Sequence, residues 1–316
     1  MSDFLSKRIY LDYFLAFLAV MGLVVFLSMP EKQEISAFVS GAPEQAPVFP
    51  VLPDEISGKS AFVLDVLSGQ VIFEKNAETQ LPLASLTKVM TVLTAVENAP
   101  ASAIIDIDKD ALLAEGDSGL RVGDKWKLSD LAKIILTNSS NDGARAVASA
   151  VGALTSSSST ETKAEGRRSF VHLMNKKAED LGLGQTYFIN ETGLDETGYL
   201  SGGYGSAKDV AFMMSALLRQ YPEIFESTRK DRIRLVSELG LSYETKNTNA
   251  IVNDIPMILA SKTGFTDLAG GNLALAFDAG FERPIVVVVL GSSQEDRFND
   301  VKKLSEATLA FIQQGS

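Results

Sequence analysis

Apolar positions follow different periods in different parts of this chain, and the changes of period divide it. The first apolar block, Tyr13 to Met29, has no polar face; Lys7 and Arg8 precede it and Pro30 closes it. That length and those flanks predict a signal peptide or a membrane anchor. No small-x-small cleavage pattern follows directly, so the expectation is an uncleaved anchor. Residues 1–12 would then stay in the cytoplasm, 13–29 would span the cell membrane, and the rest would lie on the extracytoplasmic side; a cleaved segment would release it there. Residues 30–54 hold Pro43, Pro47, Pro50 and Pro53 without a sustained period and read as a linker.

Ser60 to Leu67 and Val71 to Lys75 read as two strands joined by a turn at Ser68-Gly69. A helix opens near Ser85, with Val89, Leu93 and Val96 on one face. Ser129 is placed to cap a second helix, and Asp142 a third, alanine-rich one ending near Ala153. Thr155 to Thr162 is a low-complexity surface loop. Phe170, Leu173, Met174, Ala178 and Leu181 form the apolar face of the next helix, and Ser206 starts another that runs to Tyr221.

The last third reads as sheet. Ile255 to Ser261 leads an apolar run into Lys262, and Asn272–Ala279 and Pro284–Leu290 lie either side of Gly280. The unbroken string Ile285 to Leu290 predicts a strand buried on both faces. A final helix puts Val301, Leu304, Thr308 and Phe311 on one side. Strands at both ends and helices between them predict an α/β (α+β) fold. One sheet is built from both ends of the chain, with a helical subdomain inserted at about residues 106–206.

Composition narrows the chemistry. The 316 residues carry a formal charge of −11, which disfavours a nucleic-acid partner. Cysteine is absent and histidine occurs once, so disulfides and thiolate sites are excluded, and neither a metal nor a cofactor is expected. A Ser-His-Asp triad would have to use His172, which falls off the apolar face of its helix and reads as a solvated histidine.

Three separated motifs supply what serine acyl transfer needs without histidine: Ser85-Leu86-Thr87-Lys88, Ser139-Ser140-Asn141 and Lys262-Thr263-Gly264. Ser85 and Lys88 share one helix face, so the amine can reach the hydroxyl. Ser85 at the helix start has a free N–H beside it for an oxyanion. Burial, the positive helix end and a second lysine nearby would all favour a neutral Lys88 able to take the serine proton. Ser139 and Asn141 lie between two helices, where a lone Ser-x-Asn usually caps. Lys262 would hold a carboxylate near Ser139, and Gly264 would let substrate backbone approach the strand. A second Ser-x-x-Lys, Ser227 to Lys230, is followed by Asp231-Arg232 and reads as a solvated segment.

The motifs resemble those of the penicillin-binding proteins, and most closely the low-molecular-mass serine-type D-alanyl-D-alanine carboxypeptidases. Pro82 to Lys88, Leu120 to Asp124, Ser139 to Asp142, Phe188 to Leu194 and Ser261 to Thr266 all read like that family. The resemblance runs from about Ile56 to the C-terminus, and it implies one catalytic domain over 55–316. It implies a β-lactamase/transpeptidase-like fold with an antiparallel five-stranded sheet flanked by helices. It also implies roles. Ser85 would attack the carbonyl between two D-alanines of a peptidoglycan stem peptide, with Lys88 as base. The N–H groups of Ser85 and Phe265 would bind the oxyanion, and Ser139, linked to Lys262, would return the proton. Asn141 would orient Lys88 and the substrate amide, while Lys262, Thr263 and Gly264 bind the terminal carboxylate and backbone. β-Lactams would act as covalent inhibitors.

The chain departs from the family pattern at Gly205-Ser206-Ala207-Lys208-Asp209, a place without a catalytic role, and after the last helix, where a second β-domain is expected to be lacking. No Glu-x-x-x-Asn lies between Asn141 and Lys262, which disfavours a class A β-lactamase. A transpeptidase, an endopeptidase, another β-lactamase, and a cell-wall sensor without turnover share the same motifs.

Overall fold

The computed structural model describes residues 48–116, 118–155 and 162–314. The apolar segment 13–29 and most of the linker lie outside them. Among the described residues no helix is long and apolar enough to cross a membrane.

In chain order the strands are β1 (Ser60–Asp65), β2 (Val71–Lys75), β3 (Leu81–Pro82), β4 (Ile104–Asp106), β5 (Lys125–Lys127), β6 (Tyr187–Phe188), β7 (Gly203–Gly205), β8 (Arg232–Val236), β9 (Ser242–Lys246), β10 (Ile258–Thr266), β11 (Gly270–Asp278) and β12 (Pro284–Ser292). The helices are α1 (Thr87–Asn98), α2 (Leu128–Thr137), α3 (Asn141–Thr155), α4 (Lys163–Asp180), α5 (Ala207–Gln220), α6 (Pro222–Phe225) and α7 (Asp296–Gln314).

The main sheet has the order β10-β11-β12-β1-β2, and every neighbouring pair is antiparallel. β12 sits in the middle, pairing Val288 with Phe62 on one side and with Ala274 on the other. Its string of apolar residues is explained by the two faces. Val286, Val288 and Leu290 join one core cluster with Phe62, Leu64, Ala274 and the apolar sides of α1 and α5. Ile285, Val287 and Val289 join the other, with Ala61, Val63, Leu273 and, from α7, Val301 and Leu304. Each fully buried valine contributes about 1.5–3 kcal/mol relative to exposure.

Several boundaries move for local reasons. α2 begins at Leu128, so Ser129 lies in its first turn and Lys127 takes the cap position. α3 begins at Asn141; Ser140 Oγ accepts from Gly143 N at 2.9 Å and does the capping expected of Asp142. Asp142 instead accepts from Ser118 Oγ at 2.7 Å and holds a loop over the start of α3. The segment Ser227 to Lys230 is not wholly solvated. Ser227 and Thr228 are buried in a short 3-10 turn, and Thr228 Oγ1 accepts from Ser261 N at 3.0 Å. That turn therefore braces β10 just before Lys262. The hairpin β8–β9 escaped the sequence reading because its alternation is weak, with Arg232 and Arg234 outward and only Ile233 and Tyr243 buried.

Candidate active site

The turn that carries Ser85 is built by the backbone. A 3-10 turn, Ala84–Leu86, leads directly into α1, and Ala84 has φ 48°, a left-handed conformation that costs a residue with a side chain. Asn272, fully buried on β11, holds this turn to the sheet. Its Nδ2 donates to the carbonyls of Pro82 (3.0 Å) and Leu83 (3.1 Å), and its Oδ1 accepts from Gly291 N at 2.8 Å. β10 packs on the same turn through Gly264. A Cβ at Gly264 would lie 2.9 Å from Leu83 O and 3.2 Å from Ser85 N. A Cβ at Gly193, φ 77°, would lie 1.9 Å from Ala84 O.

Lys88 is one turn along from Ser85, and its Nζ donates to Ser85 Oγ at 2.8 Å and to Thr192 O at 2.7 Å. The side chain is fully buried. Burial pulls its pKa down to about 7, and the nearby Glu191 carboxylate partly opposes that fall. An amine near neutrality at this distance can take the serine proton.

Lys262 closes the site from β10. It is also buried, and its Nζ donates to Ser139 Oγ at 2.9 Å and to Thr263 O at 2.7 Å. Burial pushes its pKa well down, helped by the positive charges of Lys88 and Arg297. Ser139 is itself left-handed, φ 66°, which turns its hydroxyl toward β10 at the joint of α2 and α3. Thr263 Oγ1 shares a 2.6 Å hydrogen bond with Thr248 Oγ1. Phe265, the next residue after Gly264, leaves its ring half exposed at the site's edge.

Asn141 differs from expectation. Its Nδ2 donates to Glu115 O at 2.6 Å, and its Oδ1 is buried without a partner. The contact with Lys88 is made by Thr192 O instead. As an amide oxygen, this Oδ1 can accept an N–H.

The structure thus brings Ser85, Lys88, Ser139, Lys262, Thr263 and Gly264 together. His172 is exposed on α4, away from this set. Among the described residues no cluster of acidic residues and histidine is able to hold a metal ion.

Other contributors carried no motif signal. Arg297, on α7, donates to Gly264 O at 2.6 Å and holds the C-terminal part of β10. Asp195 accepts from Thr266 Oγ1 at 3.0 Å and from Leu268 N at 3.2 Å, tying the β10–β11 hairpin to the segment that carries Thr192. Their partners lie 33 and 71 or more positions away, so only the fold reveals the connections.

Comparison with known proteins agrees with this geometry. The family described as D-alanyl-D-alanine carboxypeptidase matches residues 46–294. The D-alanyl-D-alanine carboxypeptidase DacF of Bacillus subtilis is 33% identical over 263 residues, covering 81% of this chain and 62% of the relative. DacC of Escherichia coli is 31% identical over 267 residues, 79% of this chain and 60% of the relative. The chain therefore spans about three fifths of the length of these two carboxypeptidases. A Streptomyces DD-transpeptidase superposes with a TM-score of 0.70 at 23% identity, covering 81% of this chain and 98% of that one, and shares the fold. With most of its length matched by the family and the serine, lysine and Lys-Thr-Gly elements converging on one cleft, the chain belongs to the D-alanyl-D-alanine carboxypeptidase family.

Proposed function

We propose that the protein is a serine-type D-Ala-D-Ala carboxypeptidase that removes the terminal D-alanine from peptidoglycan stem peptides. The observation that carries this reading is the 2.8 Å contact between Ser85 Oγ and a buried Lys88 whose pKa is about 7. Neutral Lys88 takes the Ser85 proton as Oγ bonds to the carbonyl carbon between the two D-alanines. The backbone N–H groups of Ser85 and Phe265 face the resulting oxyanion. Lys262 and Thr263 hold the terminal carboxylate, and Asn141 meets the donor peptide's amide. The proton passes through Ser139 to the leaving D-alanine nitrogen, the C–N bond breaks, and an ester on Ser85 remains. Water then adds to that ester and frees the shortened peptide and Ser85. A β-lactam enters by the same first step and stays attached.

The apolar segment 13–29 supports a further part of the reading, in which an N-terminal anchor tethers the domain on the extracytoplasmic face of the membrane.

The test is incubation with a pentapeptide ending in D-Ala-D-Ala. Repeated release of free D-alanine, lost in Ser85→Ala, supports the carboxypeptidase. Labelling by a fluorescent penicillin without D-alanine release would identify a sensor, and release only from cross-linked peptides would identify an endopeptidase. Transfer to an added amine in place of hydrolysis would identify a transpeptidase.

A further inference from the structure

A buried carboxylate lies behind the catalytic lysine, and none of the three motifs accounts for it. Glu191 is 5% exposed, within the segment that joins β6 to β7. That segment is fastened to α1 twice. Thr91 Oγ1 donates to Glu191 O at 2.6 Å, and Lys88 Nζ donates to Thr192 O at 2.7 Å. The carboxylate faces α4, with Oε1 4.0 Å from Arg167 Nε. Arg167 in turn is held by Asp110 and, at 3.1 Å, by Ser149 Oγ, and Arg145 of α3 donates to Asp110 O at 2.9 Å. A cavity of about 510 Å³ borders Glu191, Thr192, Arg145 and Arg167, so this charged cluster has an opening to solvent.

We propose that Glu191 is a positioning residue for the Lys88 base: its carboxylate, balanced by Arg167 and Arg145, sets the electrostatic field at the Lys88 amine. The charged groups on each side support this assignment. From β10 the amine meets only another cation, Lys262, itself backed by Arg297 of α7. From the 3-10 turn before α1 it meets the uncharged Ser85. Glu191 supplies the negative charge on the remaining side. An ionised Glu191 favours the ammonium and so makes Lys88 a stronger base than burial alone allows. Burial raises the pKa of the Glu191 carboxyl, and the charges of Arg167, Arg145 and Lys88 act against that rise. Loss of either arginine favours the protonated carboxyl, which exerts no such field.

The inference rests on Lys88 being the base, and its test is read without turnover. In the full-length chain labelled with carbon-13 lysine, the Lys88 signal is assigned by its loss in Lys88→Met, and its titration midpoint is followed by NMR. Glu191→Gln is expected to lower the midpoint by about one pH unit. Glu191→Asp, which keeps the charge, is expected to return most of the shift. Thr91→Val loosens the same segment without altering charge and is expected to slow penicillin acylation with the midpoint unmoved. If Glu191→Gln does not fold, the coupling is read from the other partner: Lys88→Met should raise the midpoint of the Glu191 carboxyl. An unchanged Lys88 midpoint in Glu191→Gln, or an unchanged Glu191 midpoint in Lys88→Met, overturns the proposal. A moved midpoint in a protein that no penicillin acylates would sink the carboxypeptidase reading and leave the role of Glu191 standing.

Discussion

Lys262 Nζ donates to Ser139 Oγ at 2.9 Å across a sequence separation of 123 residues, and this bond joins the sheet to the helical side of the cleft. Neither residue reaches the other by local structure. β10 carries the amine in from one side, and the left-handed turn at Ser139 presents the hydroxyl from the other. Replacing Lys262 with Met keeps the bulk and removes both the bond and the charge. The expected loss is about 100-fold to 1000-fold in kcat/KM for a D-Ala-D-Ala peptide. Most of it should fall on KM if Lys262 serves mainly to bind the carboxylate. Steady-state kinetics decides, and a variant within twofold of the parent would remove Lys262 from the site.

Acylation should depend on pH through Lys88. Burial sets the base near 7, and only the neutral amine accepts a proton. Below about pH 7 the rate constant for penicillin acylation should fall about tenfold per pH unit, and above it the rate should level off. Stopped-flow or gel-based labelling across this range measures it. A flat profile through neutrality would show that Lys88 does not act as the base.

Gly264→Ala tests how tightly β10 lies on the nucleophile turn. The added Cβ meets backbone atoms of Leu83 and Ser85, which cannot swing aside as a flexible side chain would. We expect a stability loss of about 1–3 kcal/mol in urea denaturation and a larger loss of acylation rate. Unchanged acylation would show that the turn yields.

The double-faced sheet predicts its own cost. Leu290 is fully buried at the β12 end that pairs with Ser60. Leu290→Ala should destabilise the fold by about 2–5 kcal/mol, with the denaturant slope retained. A change below 1 kcal/mol would contradict the packing described here.

Much of this was legible in the chain itself. The string Ile285 to Leu290 announced a strand covered on both sides because no polar residue interrupts it, and the serine–lysine spacing announced that amine and hydroxyl meet, although Ser85 lies in the 3-10 turn ahead of the helix. The motifs also placed Lys262 beside Ser139. Cap positions were harder: Ser140 and Asp142 are both good caps, and only the loop bearing Ser118 decides which does that work. The Ser227–Lys230 segment looked polar, yet Thr228 is buried because β10 needs its hydroxyl at Ser261 N. Asn272, Arg297 and Glu191 could not be recognised because each acts on backbone or charge supplied by distant segments.

The pairing of β1 with β12 has a consequence for biogenesis. Ser60 meets Leu290, so the first strand of the sheet has to wait, unpaired on one edge, until the segment around Leu290 has been made. Contacts this far apart slow folding and leave an apolar ribbon open to wrong partners meanwhile. A nascent chain halted before β10 would carry Ser85 and Lys88 without the Lys262 that meets Ser139, so premature termination leaves the site incomplete.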